Sequence, residues 1–291
     1  MNILRIFLSC SPVLQIGVAK KPYPAKISSL NITMSKFLSF IFVFIFLFNA
    51  SALAQLDINR LSVDDINKVE ILLGKLDPLI QARREKNNLA SLNFDELYAP
   101  LTESQKIFLK NFENLDANAL SVKIPYLGIA AGNEELVIIR GQKIKDKGKF
   151  QTLPPQFLPK DVNQSYTQMM DAMQKDLGKR LYVESGYRSS AYQLYLLIDS
   201  LKNHNYSIRE TAKFVALPGH SEHGCPRQQA IDFVNEDGID GQGNPRLFEV
   251  LPEYAWLTKN AQKFNFALSY PKDSNDGIAY EPWHWHYNKP R

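Results

Sequence analysis

The stretch GHSEHGCPRQQAID, Gly219 to Asp232, sets two histidines, a cysteine and an aspartate around the start of an apolar run at Ala230-Ile231. A second stretch, YEPWHWHY from Tyr280 to Tyr287, adds two more histidines and a glutamate. All five histidines of the chain lie between His204 and His286. Neutral imidazole nitrogens and a carboxylate oxygen are good zinc donors, and a catalytic zinc usually keeps three protein ligands with one position open to water. Spacing decides little here, because His223 and Asp232 are not a local helical pair of the His-Glu-x-x-His kind. On these residues alone a metal site and a set of ordinary surface histidines both stay open.

The compartment bears on how the cysteines are read. Met34-Ser35-Lys36 is followed by the apolar core FLSFIFVFIFLF and then Ala52-Leu53-Ala54, the small-x-small pattern of a signal-peptidase site. The core is shorter than the ~20 residues a spanning helix needs, so export with cleavage before Gln55 is expected rather than an anchor. Met34 is the more plausible start, and residues 1–54 are taken as a targeting segment. That segment holds Arg5, Lys20, Lys21, Lys26 and Lys36 and no acidic residue. Without it the 34 basic residues fall to 29 against 30 acidic ones, a formal charge of −1. The basicity of the whole chain therefore belongs to its leader, and a nucleic-acid partner is not expected. Cys10 leaves with the leader, so Cys225 has no partner for an intramolecular disulfide and stability must come from the core.

The 237 residues that follow divide by pattern near residue 120. From 55 to 120 the reading is helical: Ser62-Val63-Asp64-Asp65 opens one run, Thr102-Glu103-Ser104-Gln105 is a capping-box signature, and Pro78 and Pro100 are expected to separate helices. Part of this region faintly resembles helix-hairpin-helix DNA-binding modules but lacks their paired glycines, and a packing or spacer role is expected instead. From 121 to 291 short strands and helices mix without a βαβ rhythm, which predicts an α+β domain. YLGIAA, ELVIIRG, RLYVES, AIDFV and the terminal AYEPWHWHY read as strands. Helices are expected at about 165–176, 191–202, 208–215 and 256–266, and the proline-rich GKFQTLPPQFLPKD reads as a connection draped over the surface.

Three ordered motifs, SGYRS at 185–189, SEH followed by AID at 221–223 and 230–232, and EPWH at 281–284, together resemble the VanY-type D-alanyl-D-alanine carboxypeptidases. These belong to the wider lysostaphin, carboxypeptidase and sonic-hedgehog-like zinc fold. The resemblance covers about residues 150–291. It implies a small mixed or antiparallel sheet flanked by helices around one Zn2+, held by His223, Asp232 and His284. It also implies Glu281 as general base and Arg188 as the group that stabilises the transition state. Ser221 and Gln193 are candidate substrate-binding residues, the serine for a terminal carboxylate.

Each role has a plainer rival. Arg188 could be a surface ion-pair residue, Asp232 a turn cap, and Glu281 a solvated strand end. In an ideal strand Glu281 and His284 point to opposite faces, so both reach one metal only if Pro282 introduces a turn or bulge. His286 shares a strand face with His284 and is read as lining the pocket or backing the ligand. Trp283, Trp285 and Tyr187 are assigned to packing. The offset of nine from His223 to Asp232 exceeds the seven usual in the family, which puts the rim of the site in question, and Cys225 falls in that longer loop.

The implied activity is zinc-dependent removal of the terminal D-alanine from peptidoglycan stem peptides, in the bacterial periplasm or exterior, by a monomer without a membrane span after leader cleavage. The alternatives are an L,D-carboxypeptidase, a peptidoglycan endopeptidase, or a silent cell-wall binding module. A binding module has no use for a general base, and Glu281 speaks against it.

Overall fold

The structure is a computed structural model, and it describes residues 56–290 apart from 147, 226 and 227. The expected leader and its cleavage site lie outside the described residues. No described helix is long and apolar enough to cross a membrane.

Three helices come first: α1 (Val63–Glu85), α2 (Phe94–Tyr98) and α3 (Glu103–Glu113). Ser62 caps α1 through the Asp65 N–H, and Thr102 with Gln105 forms a full capping box on α3, satisfying donors a helix start leaves unpaired. Pro78 does not separate helices as its sequence context suggested, because α1 runs through it. A helix-interior proline costs roughly 3 kcal/mol. Leu72, Leu73 and Leu76 on one side of it and Ile80 on the other are buried in one core, and that burial outweighs the lost hydrogen bond.

Two small antiparallel pairs follow. β1 (Leu136–Ile139) pairs with β4 (Gln156–Pro159), and β2 (Lys143–Asp146) pairs with β3 (Lys149–Thr152). The proline-rich connection is therefore half strand: β3 is exposed, but β4 carries Leu158 fully into the core. YLGIAA, by contrast, forms no strand. Its backbone is partly held by single bonds, Leu127 N–H to Gly219 O and Ala130 N–H to Ser190 Oγ, so a ladder is not needed to satisfy it.

The remaining elements build the site. They are α4 (Lys160–Leu177), β5 (Leu181–Ser185), α5 (Ser190–Ser200), α6 (Ile208–Thr211), β6 (Ala230–Asn235), α7 (Pro245–Glu249), α8 (Pro252–Asn260), β7 (Phe266–Leu268) and β8 (His284–Tyr287). One four-stranded antiparallel sheet, in the order β5-β6-β8-β7, lies at the centre, and the class is α+β. β6 is buried along its whole length. Strand alternation sends Ile231, Phe233, Trp285 and Tyr287 into a core with Met169, Met170 and Met173 of α4 and with Trp256 and Leu257 of α8. The same alternation turns Asp232, His284 and His286 to the other face.

A second apolar cluster joins α1, α2 and α3 to Ala191, Leu194, Leu197 and Ile198 of α5. The N-terminal helices thus share a core with the helix that follows the SGYRS motif.

Candidate metal and active site

The register of the central sheet sets the first half of the site. Asp232 on β6 stands directly opposite His284 on β8, and the bulge between Val183 and Ser185 brings Ser185 beside Asp232 on its other flank. His223 enters from a 3-10 turn, Glu222–Gly224, whose Gly224 is in close contact with the Arg188 segment: a Cβ there would meet Arg188 O at 2.9 Å. The terminal strand is shorter than AYEPWHWHY suggested, because Pro282 and Trp283 form a turn closed by the His284 N–H on Glu281 O at 3.1 Å. That turn brings Glu281 to the same side as His284, with Oε2 3.6 Å from Nδ1.

Hydrogen bonds fix which imidazole atoms face the centre. His223 Nδ1–H donates to Gly186 O at 2.7 Å, which leaves Nε2 directed at Asp232 Oδ2, 3.1 Å away. His284 Nε2–H donates to Glu222 Oε2 at 3.0 Å, which leaves Nδ1 beside Asp232 Oδ1 at 2.8 Å. The two rings meet edge to face with centroids 4.9 Å apart. The donor atoms of His223, Asp232 and His284 all lie within 4.8 Å of one another, and all three residues are buried. His223 Nε2 is a buried polar atom without a hydrogen-bond partner, an arrangement that is costly without a further occupant. Two nitrogens and one carboxylate oxygen are the donor set a divalent zinc takes. The residues fit a metal ion.

Charges follow from the same contacts. Burial drives the His223 pKa down to about 4, with the Arg188 cation adding to it, so the ring is neutral and its nitrogen available. Burial opposes ionisation of Asp232, but the two histidines hold its pKa well below the usual carboxylate value. Burial alone would depress His284, yet Asp232 and Glu222 overcome it and raise the ring to about 10. A proton on His284 thus holds the position that a cation would take. Burial lifts Glu281 to about 7, with His284 and Arg188 pulling it down and Asp232 and Glu222 pushing it up. That is the range in which a carboxylate exchanges protons efficiently near neutrality.

All seven residues singled out in the sequence, His223, Asp232, His284, Glu281, Arg188, Ser221 and Gln193, line one cavity of about 770 Å³. Arg188 is half-buried and its Nε has no hydrogen-bond partner. Gln193 is buried and donates one Nε2–H to Ala216 O at 2.8 Å, while its Oε1 is an unpaired acceptor. His286 does not line this cavity. Its Nδ1 lies 2.8 Å from Ser269 Oγ and 3.4 Å from Glu222 Oε1. Cys225 is buried and stands outside the donor group. Trp283 and Trp285 pack in the core, and Trp283 also walls the cavity.

Two site residues were missed in the sequence. Glu222, buried between Ser221 and His223, accepts from His284, from Ser269 Oγ at 2.5 Å and from Gln228 Nε2 at 2.9 Å. Its signal was a carboxylate flanked by two candidate site residues. Tyr270, whose ring lies 4.8 Å from that of His284, lines the cavity and carried no signal at all.

Fold and site together define an α+β domain organised around a two-histidine, one-carboxylate candidate metal centre. Residues 155–290 match the sequence profile of the VanY family, described as D-alanyl-D-alanine carboxypeptidase. The chain is 34% identical over 128 residues to a D-alanyl-D-alanine carboxypeptidase of Enterococcus faecalis, an alignment covering 41% of this chain and 44% of that protein. It is 31% identical over 121 residues to the bifunctional D-Ala-D-Ala dipeptidase and D-Ala-D-Ala carboxypeptidase VanXYC of Enterococcus gallinarum, covering 38% of this chain and 57% of that one. It thus spans about half the length of these relatives. A solved structure of VanYB in complex with D-alanine-D-alanine aligns with a TM-score of 0.41 and 23% identity, over 59% of this chain and 87% of that one.

Proposed function

We propose that this chain is a zinc-dependent carboxypeptidase that removes the terminal D-alanine from peptidoglycan stem peptides. The observation that carries the reading is the convergence of His223, Asp232 and His284 within 4.8 Å, on a cavity that Glu281 and Arg188 also line. His223 Nε2, an Asp232 carboxylate oxygen and His284 Nδ1 would hold the ion. Zinc, when bound there, supplies a Lewis acid and lowers the pKa of water toward neutrality.

The chain's own groups do the rest. Glu281 takes the proton of the attacking water and passes it to the departing amine nitrogen, a transfer suited to a pKa of about 7. The Arg188 guanidinium lies where negative charge develops on the scissile carbonyl oxygen, where a fixed cation contributes most. Ser221 hydrogen-bonds the free carboxylate of the last residue. Gln193 lines the cavity with its Oε1 unpaired, and this acceptor takes an N–H of the substrate. The protein works outside the cytoplasm, as a monomer, on the cell wall.

Digestion of purified muropeptides followed by mass analysis tests this. The parent should release a single D-alanine from a pentapeptide stem. Glu281→Gln should keep its metal and its fold while losing at least the ~10²–10⁴-fold typical of a missing acid–base group. Splitting of cross-linked dimers without free alanine would point to an endopeptidase, and release of D-alanine from a tetrapeptide stem to an L,D-carboxypeptidase. No product from the zinc-loaded parent would leave the binding-module reading.

A further inference from the structure

Arg188 has to be aimed, and its own side chain does not do this. Among the described residues no hydrogen bond or ion pair holds the guanidinium, and Nε is buried without a partner. Its direction is therefore set by the backbone on either side, and several of the ties on residues 187–190 come from outside residues 155–290.

Ser189 is fully buried, and its N–H donates to Ala90 O at 2.9 Å while its hydroxyl donates to Leu92 O. The same hydroxyl accepts the Tyr192 N–H at 3.2 Å and caps α5. Ser190 exchanges two bonds with Ala130, N–H to O at 3.0 Å and Oγ from N–H at 2.9 Å. Tyr187 donates its hydroxyl to the Glu134 carboxylate, which also accepts the N–H groups of Ala131 and Gly132. These two supports touch each other: a Cβ on Gly132, at φ +89°, would fall 2.6 Å from Ser91 O. The 89–92 segment is fastened in turn to α1 by Arg83, whose guanidinium reaches Glu96 at 3.1 Å and Ser91 Oγ at 3.5 Å. Within the segment that matches the VanY profile the same stretch is held by the Arg188 N–H on His223 O at 3.0 Å and the Tyr187 N–H on Phe157 O at 2.7 Å.

We propose that residues 89–92 and 130–134 are a positioning scaffold for the active centre: by holding Ser189 and Tyr187 they place Arg188 over the scissile carbonyl. The proposal rests on the reading of Arg188 given above and assigns a role to residues outside the segment that matches the VanY profile. Misplacing a catalytic group by about 1 Å can cost on the order of a hundredfold in rate, so even a small shift of this backbone would be measurable.

The test is a double-mutant cycle in the full-length, zinc-loaded chain with a pentapeptide stem as substrate. Ser189→Ala should lower kcat on the order of tenfold in the parent, with KM and zinc content nearly unchanged, and should have less than about a twofold effect in an Arg188→Ala background. Tyr187→Phe should show the same dependence on Arg188, and provides the cycle if Ser189→Ala does not fold. In the metal-free protein either substitution should speed amide hydrogen exchange across residues 186–190. Equal losses in both backgrounds, or unchanged exchange, would overturn the proposal and leave these residues as ordinary packing. If Arg188→Ala by itself leaves kcat intact, the role of Arg188 fails and the scaffold proposal falls with it, an outcome distinct from the other two.

Discussion

Glu222 orients His284, a candidate metal ligand, from outside the donor group. By accepting the His284 Nε2–H it fixes that ring's tautomer and leaves the Nδ1 lone pair, on the side of Asp232, for a metal ion. Glutamine in its place can donate as well as accept, and Glu222→Gln should weaken zinc binding by the ~10–100-fold typical of such an outer contact. His284→Ala should abolish it. His286→Ala, which removes only a neighbour of Glu222 and Ser269, should cost less than either. Competition with a chromogenic chelator ranks the three, and a His286 variant worse than the His284 variant would reverse the ligand assignment. The same contacts make binding pH-dependent. His284, at about 10 without metal, must release a proton when zinc binds, so affinity should fall as pH falls, by up to about tenfold per unit between pH 8 and 6. His223, at about 4, is neutral across that window and adds nothing to the slope. Flat affinity from pH 8 to 6 would show that His284 is not protonated in the metal-free site.

The two strands β6 and β8 do two jobs at once, because alternate residues face opposite ways. Phe233 and Trp285 anchor the core while Asp232 and His284 face the cavity. Phe233→Ala should lower stability by about 3–5 kcal/mol, read from the urea midpoint, and should loosen metal binding with it because the metal-facing residue is its neighbour. This alternation could be read from AIDFV and WHWHY. The turn at Pro282 was legible only as a condition, that Glu281 and His284 could meet if the chain bent there. Elsewhere local signals misled. Pro78 marked a helix end by propensity, but leucines and an isoleucine on both sides of it are buried together and carry the helix through. The proline-rich 148–161 stretch reads as a loop, yet Leu158 needs a core and β1 offers a ladder.

At the scale of the whole molecule the site is a junction. The sheet supplies Asp232 and His284, a 3-10 turn supplies His223, and α5 with the loop before it supplies Gln193 and Arg188, braced by helices far earlier in the chain. Three candidate ligands on separate elements imply that zinc would bind the folded state and not the unfolded chain. At a free zinc concentration about a hundredfold above Kd the ion should therefore stabilise the fold by about 2.7 kcal/mol. A thermal melt with and without zinc measures it, and the His284→Ala chain should show no shift. An equal shift in that variant would place the stabilising ion elsewhere.

The sequence by itself determined what depends on near neighbours: the caps at Ser62 and Thr102, most of the site-forming helices, the buried strand at Ala230, and the residue types from which a zinc site is made. Through its ordered motifs it also pointed to the residues that line the cavity. Only the tertiary structure decided which imidazole nitrogens face inward, that Gln193 presents an acceptor, that Glu222 belongs to the site, and that the N-terminal helices share a core with α5. The physical reason is range. A cap or an alternation is settled within a few residues, whereas the Asp232–His284 pairing spans 52 positions and the Ser189–Leu92 bond 97. Such contacts are set by strand register and helix packing, which no local stretch encodes.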